Sequence, residues 1–229
     1  MSDALPLDQG LFGRLRRDCG AAWDGYVSHD FVRHLAAGTL PRPAFEHFLR
    51  QDYLFLIHFA RAYALAGAKA GSLAELRSAA QSVTNIVDIE MPLHVAYCRD
   101  WGISEAEMEA EPEAMETVAY TRFVLDRGHA GDKLDLDVAL APCVVGYAEA
   151  VARILADPAT KRDGNPYAAW MDAYSGAEYR GWVKGCIEKL DSLGAAKGAE
   201  ARYPELLATF RAATMLETAF WDMSLRAGR

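Results

Sequence analysis

Acidic and thiol side chains interrupt apolar helical stripes at three places in the sequence. In the segment 43–70, steps of three and four residues place one set on a single helical face: Phe45, Phe48, Asp52, Phe55 and Phe59. A carboxylate removed from water is costly unless it is paired or hydrogen-bonded. Asp52 is therefore expected to meet a ligand or a polar group of another helix. Alternatively, it lies at the edge of the stripe and pairs with a basic residue of a neighbouring helix.

Two further stripes carry a carboxylate and a thiol. One face of the last segment carries Leu206, Phe210, Ala213, Glu217, Phe220 and Ser224, and one face of an earlier segment carries Leu136, Leu140, Cys143, Tyr147, Val151 and Ile154. If the three stripes face one interior, they form a cavity with two acids, a thiol and several aromatic rings. Such a cavity is typical of a ligand site between the helices of a bundle rather than of a plain core.

Cys143 directly follows a proline in the apolar stretch LAPCVVGYAEA. Proline removes a backbone donor and its ring clashes with the carbonyl four residues earlier, so Pro142 either bends the helix or marks its start. The distortion could aim Cys143 at the cavity. Equally, prolines kink helices for purely structural reasons, and a free cysteine most often packs as a small buried hydrophobic residue. From these residues alone, both interpretations stay open.

Metal and haem sites find less support in the sequence. The four cysteines are far apart and form no CxxC pair, and the six histidines do not form the paired Glu-x-x-His motifs of di-iron bundles. Glu90 and His94 can share a helical face, but a lone pair of this kind is more often a surface or outer-shell interaction. His29 or His34 could serve geometrically as a haem ligand. The sequence therefore predicts no metal and no cofactor.

Composition limits the class of protein and its partners. The chain has 229 residues, of which 52% are hydrophobic and 24% charged, enough for one large core. A formal net charge of −8 without a basic cluster argues against a nucleic-acid partner. No stretch approaches the roughly 18 uninterrupted apolar residues of a membrane span, and the N-terminus lacks a basic segment followed by an apolar run. We expect a cytoplasmic protein with no membrane partner.

Apolar residues recur at helical spacing almost throughout, and strand patterns are nearly absent, which predicts an all-α fold. No linker or internal repeat divides the chain, so we expect a single-domain helical bundle over residues 1–229. The predicted helices comprise an opening helix to about Tyr26 and helices over about 31–37, 43–70, 73–101, 112–127, 134–156, 166–174, 177–193 and 203–226. The clearest predicted loops are RGHAGDK, DPATKRDGNP and GAAKGAE.

Four sequence blocks together resemble a known family. In chain order, these blocks are FLRQDYLFLIHFARAYALAGAKA, LAPCVVGYAE, NPYAAWMDAYSG and LETAFWDMSL. Over nearly the whole chain they are similar to the cysteine-containing branch of the TenA family, also called thiaminase II or aminopyrimidine aminohydrolase. The resemblance implies an all-helical fold of the haem-oxygenase-like type without haem, assembled as a homotetramer. It also implies a small-molecule partner, either an aminopyrimidine or thiamin.

The family's activity defines the reaction and the residues that the resemblance implies. Members salvage damaged thiamin: they hydrolyse 4-amino-5-aminomethyl-2-methylpyrimidine to the 5-hydroxymethyl pyrimidine and ammonia, and can cleave thiamin to the same pyrimidine and the thiazole. By resemblance, Cys143 is the nucleophile, Asp52 binds the ring's amino group and neighbouring nitrogen, and Glu217 acts as acid and base. The tyrosines implied to line the pocket are Tyr120, Tyr147 and Tyr174. Phe55 stands where some members have tyrosine, so that stacking remains there without a hydrogen bond.

General chemistry agrees with this assignment. A thiolate that adds to an electron-poor pyrimidine breaks its aromaticity, so the substituent can leave as a neutral amine once it is protonated. Carboxylates near a cysteine disfavour the thiolate, so one acid should pass a proton rather than stay charged beside the sulfur. An apolar pocket favours the protonated form of a glutamate, which suits Glu217 as the donor to the leaving amine. Two other functions stay open: a non-hydrolytic regulatory protein that binds a pyrimidine or thiamin, and a haem- or metal-dependent oxygenase on the same fold.

Overall fold

The computed structural model describes residues 4–229. This part of the chain contains helices and no strand, so the all-α prediction is confirmed. The α-helices are α1 (Gly10–Cys19), α2 (Ala21–Val27), α3 (Asp30–Ala37), α4 (Arg42–Ala68), α5 (Leu73–Asn85), α6 (Met91–Asp100), α7 (Glu105–Glu109), α8 (Met115–Ala130), α9 (Lys133–Ala156), α10 (Ala168–Ser175), α11 (Ala177–Ala196) and α12 (Tyr203–Ala227). A π-helix, Ile86–Glu90, joins α5 to α6, and a 3₁₀-helix, Ala199–Arg202, precedes α12.

Several helix ends follow the signals in the sequence. Helix α3 ends at Gly38, which takes the left-handed conformation with φ 68° that glycine adopts at little cost. Pro43 lies in the first turn of α4, where its missing N–H is not needed by the helix. The predicted loop 157–166 does lie between α9 and α10. These signals are local, which is why they can be recognised without the fold.

Four predicted segments differ from the structure. The predicted loop GAAKGAE is mostly helical, since α11 continues to Ala196 and the 3₁₀-helix begins at Ala199. The opening helix is divided into α1 and α2, because Gly20 between them has φ 58° and interrupts the helical backbone. The helix predicted over 73–101 is divided by the π-helix. Most of the predicted loop RGHAGDK is helical, since α8 continues to Ala130. There a Cβ at Gly128 would lie 2.7 Å from Leu65 Cδ2, so close packing favours helix despite the glycine.

The described chain forms two compact units. Unit 1 comprises the residues up to Leu40 together with Asp137–Thr218, and unit 2 comprises Pro41–Leu136 together with Ala219–Arg229. The single domain over residues 1–229 stays a prediction. Within these units, the three apolar stripes are buried along their length, except that Cys143 is half-buried.

A buried carboxylate joins three helices of unit 1. Glu149 in α9 is 3% exposed. Its oxygens accept hydrogen bonds from Arg16 at 2.7 and 2.8 Å, from the indole N–H of Trp23 at 2.9 Å, and from Arg153 at 2.6 and 2.9 Å. Burial raises the pKa of a carboxyl group, but these donors outweigh burial and hold the pKa of Glu149 below its ordinary value. The network therefore ties α1 and α2 to α9, the helix that carries Cys143.

In unit 2, a buried amide ties α4 to the segment before α8. The Gln51 side chain donates to the carbonyl of Pro112 at 3.0 Å, and its oxygen accepts from the backbone N–H of Ala114 at 2.9 Å and the hydroxyl of Thr117 at 2.6 Å. Gln51 is 1% exposed, so each of these bonds satisfies a group that has lost water. The bonds hold the turn of α4 that carries Asp52.

Helix α9 is the one helix in residues 4–229 that is long and apolar enough to cross a membrane by length and composition. Its most apolar window has a mean hydropathy of 1.6, and 78% of that window is buried inside the fold. The core helix of a globular protein has these same properties, so the length and composition of α9 are weak evidence for a membrane span.

Replacing Glu149 with glutamine should lower the free energy of unfolding by about 2 to 4 kcal/mol at pH 7, because Arg16 and Arg153 lose their shared charge partner. In the native protein, the Glu149 carboxylate contributes its full stabilisation above the ordinary carboxyl pKa of 4.5. That contribution declines as the pH falls from there through the lower pKa of the folded state. Urea unfolding of the native protein and the variant at several pH values measures both effects.

The matched control is Glu188→Gln in α11. Glu188 is 62% exposed and lies 3.8 Å from Lys184, so this variant should change the free energy of unfolding by less than about 0.5 kcal/mol. Equal destabilisation by the two substitutions would contradict the role of the Glu149 network.

Candidate active site

Asp52 lies inside the apolar stripe of α4 and is paired with a histidine. Asp52 and His94 are each 4% exposed, and the Oδ2 atom of Asp52 lies 2.6 Å from Nε2 of His94. Asp52 thus has a basic partner on another helix, α6. It is buried within the stripe and does not lie at its edge. A carboxylate keeps further acceptor capacity on both oxygens after accepting one such bond, so Asp52 can still bind a ligand.

The hydrogen bonds of His94 determine where its protons lie. Its Nδ1 atom is 3.0 Å from the carbonyl oxygen of Glu90. A carbonyl can only accept, so Nδ1 carries a proton and the Nε2 atom faces the carboxylate of Asp52. Burial lowers the pKa of a histidine, but the hydrogen bond and the charge of Asp52 outweigh burial and raise the pKa of His94 above its ordinary value. The pair is therefore best described as an imidazolium bonded to a carboxylate.

The π-helix sets the direction from which His94 reaches Asp52. The N–H of Met91 donates to the carbonyl of Ile86, five residues earlier, where an α-helix would use a residue four earlier. Pro92 follows and has no N–H with which to continue the ladder. One extra residue in the turn rotates the following side chains by about 100° relative to an uninterrupted helix. The face of α6 that meets Asp52 is thus decided by this local distortion.

His94 is the site residue whose contact with Asp52 the sequence did not predict. The Glu90 and His94 pair was expected at the surface or in an outer shell, whereas His94 is buried and bonds the backbone carbonyl of Glu90. Two signals point to it in retrospect: the need for a partner at Asp52, and Pro92 two residues before the histidine.

Aromatic rings of unit 2 surround the stripe next to Asp52. The ring of Phe55 lies 4.9 Å from that of Tyr120 and 5.5 Å from that of Phe59, measured between centroids. Phe220 packs edge-on against Phe55 at 6.0 Å. Phe55 and Tyr120 are 4% and 1% exposed. The structure therefore brings together two of the predicted site residues, Phe55 and Tyr120, on the aromatic face that also carries Asp52.

The other predicted site residues belong to unit 1. Cys143 is half-buried in α9, and Tyr147 follows one helical turn later, with its ring 5.0 Å from the ring of Tyr174 in α10. Helix α9 begins at Lys133 and continues through Pro142, so the proline does not mark the start of the helix. Glu217, in the part of α12 that belongs to unit 1, is 2% exposed.

The histidines considered as haem ligands have structural contacts. The Nδ1 atom of His29 accepts from the backbone N–H of Phe31 and caps α3, and His34 lies 3.0 Å from the hydroxyl of Thr39. Within residues 4–229, no group of three or more His, Cys, Asp or Glu side chains is arranged to hold a metal ion.

Asp52→Asn should move the pKa of His94 from above the ordinary histidine value of 6.5 to below it, because only the effect of burial then remains large. In the native protein, the raised pKa means that the pair stabilises the fold fully below pH 6.5 and less as the pH rises through the folded pKa. A pH titration of ¹⁵N-labelled histidine followed by NMR measures the shift. His58, whose pKa is lowered mainly by burial, should titrate alike in both proteins. An unchanged His94 titration would refute the ion pair.

Comparisons with known proteins identify the family. Residues 17–227 match the TENA/THI-4/PQQC family. An uncharacterized protein of Haemophilus influenzae is 39% identical, over 89% of this chain and 93% of that protein. An aminopyrimidine aminohydrolase of Halalkalibacterium halodurans is 34% identical, over 88% of this chain and 89% of that protein. The crystal structure of a TenA family transcription regulator from Silicibacter sp. is 44% identical, with a TM-score of 0.86 over 94% of this chain and 96% of that chain.

These matches span most of the chain and agree with the resemblance of the four sequence blocks. The family match leaves out only the ends of the chain and includes every candidate site residue. The chain belongs to the TENA/THI-4/PQQC family.

Proposed function

We propose that this protein is an aminopyrimidine hydrolase of thiamin salvage. It converts 4-amino-5-aminomethyl-2-methylpyrimidine to the 5-hydroxymethyl pyrimidine and ammonia, and it can cleave thiamin to the same pyrimidine and the thiazole. The observation that carries the proposal is the buried pair of Asp52 and His94 beside the packed rings of Phe55 and Tyr120. A relative that is 34% identical over most of the chain is named aminopyrimidine aminohydrolase.

The residues of unit 2 are suited to bind a flat, nitrogen-rich ring. Phe55 and Tyr120 offer aromatic faces and edges for stacking. Asp52 offers carboxylate lone pairs to the amino group and the adjacent ring nitrogen, since one carboxylate can accept two parallel hydrogen bonds. The hydrogen bond from His94 orients this carboxylate before substrate arrives. Phe55 has no hydroxyl, so it recognises the substrate by shape and stacking alone.

Cys143 supplies the nucleophile in the proposed reaction. Its thiolate adds to an electrophilic carbon of the pyrimidine ring, and the ring loses its aromaticity as the C–S bond forms. The electrons then expel the protonated amine as ammonia, which leaves an exocyclic methylene group. Water adds to this methylene, the C–S bond breaks, and the ring becomes aromatic again. The atoms balance as one water consumed and one ammonia released.

Glu217 supplies the proton transfers. In the proposed reaction, Glu217, which is 2% exposed, holds a proton before the amine leaves. In this form it donates a proton to the leaving amine, and the resulting carboxylate then accepts a proton from the attacking water. A glutamate that exchanges protons in this way avoids a fixed negative charge that would disfavour the thiolate of Cys143.

Cys143→Ala should reduce ammonia release from 4-amino-5-aminomethyl-2-methylpyrimidine by at least about a hundredfold, because no thiolate remains to add to the ring. Substrate binding, measured by calorimetry, should change by less than about tenfold, since the alanine variant keeps the acceptors and rings that bind the pyrimidine. Thiamin serves as the second substrate in both assays.

The matched control is Cys186→Ala, which removes another half-buried thiol of unit 1 and should leave turnover unchanged. Turnover that survives Cys143→Ala would move the chemistry to water activated by Glu217. Binding without ammonia release in the native protein would instead establish a regulatory pyrimidine-binding protein. A haem absorption band in the purified protein would indicate an oxygenase.

The assembly proposed for the protein is a homotetramer. Large apolar side chains are about half exposed on α5, the π-helix and α6: Leu73, Leu76, Val87, Ile89 and Leu93. On α5, Leu73 and Leu76 are three residues apart and so share one helical face, which a neighbouring helix can cover. A second copy of the chain can present the same uncharged stripe across a two-fold axis, so the surface is self-complementary. We use the name α5–α6 apolar surface for these five residues.

Leu76→Glu should break the assembly, because it places a charge in the centre of the α5–α6 apolar surface. Sedimentation velocity should show a tetramer for the native protein and a smaller species for the variant. Met215→Glu, at a 60% exposed position of α12 in unit 1, is the matched control and should leave the tetramer intact. A native monomer, or a tetramer that tolerates Leu76→Glu, would contradict the proposal.

A further inference from the structure

Two tyrosine hydroxyls bond the backbone on either side of Cys143. The hydroxyl of Tyr179 donates to the carbonyl oxygen of Val144 at 3.1 Å, and the hydroxyl of Tyr26 donates to the carbonyl oxygen of Pro142 at 3.4 Å. A carbonyl oxygen has two lone pairs, so it can accept a hydroxyl in addition to a helical N–H. All of these residues belong to unit 1. Cys143 thus lies between two backbone carbonyls that are each bonded from outside the helix.

Glycine allows Tyr26 to approach the backbone of α9. A Cβ at position 146 would lie 2.1 Å from Cε1 of Tyr26, a distance that no side chain can accept. Tyr26 is fully buried, and its ring packs edge-on against Trp23, which in turn bonds Glu149. The position of Tyr26 is therefore determined by the packing of α2 on α9.

Tyr179 joins the backbone next to Cys143 to the aromatic rings of unit 1. Its ring lies edge-on to Tyr174, at 5.0 Å between centroids and an interplanar angle of 88°. Tyr174 in turn lies 5.0 Å from Tyr147, one helical turn beyond Cys143. A single side chain thus contacts both the helix that carries the thiol and a ring assigned to the substrate pocket.

Pro142 explains why this part of α9 needs additional hydrogen bonds. Proline has no N–H, so the turn that leads into Cys143 lacks one bond of the helical ladder. A turn with fewer backbone bonds has more freedom to fluctuate. Nucleophilic attack, in contrast, needs the reacting atoms aligned at roughly 3 to 3.5 Å, and misplacement by about 1 Å can cost a hundredfold in rate.

We propose that Tyr179 is a positioning residue for Cys143, with Tyr26 in a supporting role at the preceding carbonyl. The hydroxyl of Tyr179 holds the turn after the proline, and its ring sets the distance between that turn and Tyr174. This inference rests on the proposed function in one respect, namely that Cys143 is the nucleophile. The positioning itself is a property of unit 1 and can be measured without turnover.

The test is Tyr179→Phe, which removes the hydroxyl and keeps the ring. The kcat for ammonia release should fall about tenfold, with KM within about twofold of the native value, because alignment changes while the pyrimidine-binding groups stay. The rate at which iodoacetamide alkylates Cys143, followed by peptide mass spectrometry, should rise at least about threefold as the turn loosens. Tyr26→Phe should change both quantities in the same direction but less, since its bond is the longer one.

Tyr167→Phe is the matched control. It also removes a tyrosine hydroxyl from a backbone carbonyl of unit 1, but that carbonyl belongs to Leu40, at 2.6 Å, and not to a neighbour of Cys143. It should lower thermal stability while leaving kcat and the alkylation rate native. This comparison separates positioning from a general loss of stability.

The outcomes are distinct for the two proposals. If Tyr179→Phe keeps both kcat and the alkylation rate within about twofold of native, the positioning role is wrong. If Tyr167→Phe has equal effects, the hydroxyl of Tyr179 acts only through stability and the inference is also wrong. If Cys143→Ala retains full ammonia release, the nucleophile of the proposed function is wrong, and the alkylation rates alone then decide whether Tyr179 positions the thiol.

Discussion

The carboxylate of Asp52 can lie among phenylalanines because the imidazole of His94 bonds it at 2.6 Å. Without that partner, an ionised side chain that is 4% exposed would be too costly to keep within the stripe. The histidine in turn depends on the carbonyl of Glu90 and on the π-helix that directs α6. A backbone distortion, a buried ion pair and an acceptor suited to a heteroaromatic ligand are thus parts of one arrangement. Here the irregular helix is a requirement of the site.

Unit 1 also contains a buried carboxylate and an irregular helical turn, but the partners of its carboxylate are different. Its buried carboxylate, Glu149, has two guanidinium groups and an indole as partners, and it joins helices rather than facing a ligand. Its irregular backbone is the turn at Pro142, where tyrosine hydroxyls bond the carbonyls next to Cys143. The difference between Glu149 and Asp52 is informative, because Glu149 has its acceptor capacity saturated by protein donors. Within residues 4–229, Asp52 instead accepts a side-chain hydrogen bond on one oxygen only, from His94.

The proposed chemistry makes opposite demands on the charges of Asp52 and Glu217. Asp52 must stay ionised to accept hydrogen bonds from an aminopyrimidine, and a neighbouring cation favours that state. Glu217 must release and recover a proton. The stripes of α4 and α12 look alike in sequence, each with one acid among aromatic residues. The residue type alone therefore does not distinguish the two proposed tasks.

The sequence by itself determined the class of fold, most helix ends and the three buried stripes, because helical periodicity and glycine or proline signals act over a few residues. It also determined that Asp52 needs a partner. Only the tertiary structure decided which one, since His94 is 42 residues away and its side chain is directed by a π-helix. The bonds of Glu149 to Arg16, 133 residues away, and of Tyr179 to the backbone of α9 are likewise beyond local pattern. Such contacts depend on how distant helices pack, and periodicity carries no information about the partner of a particular polar atom.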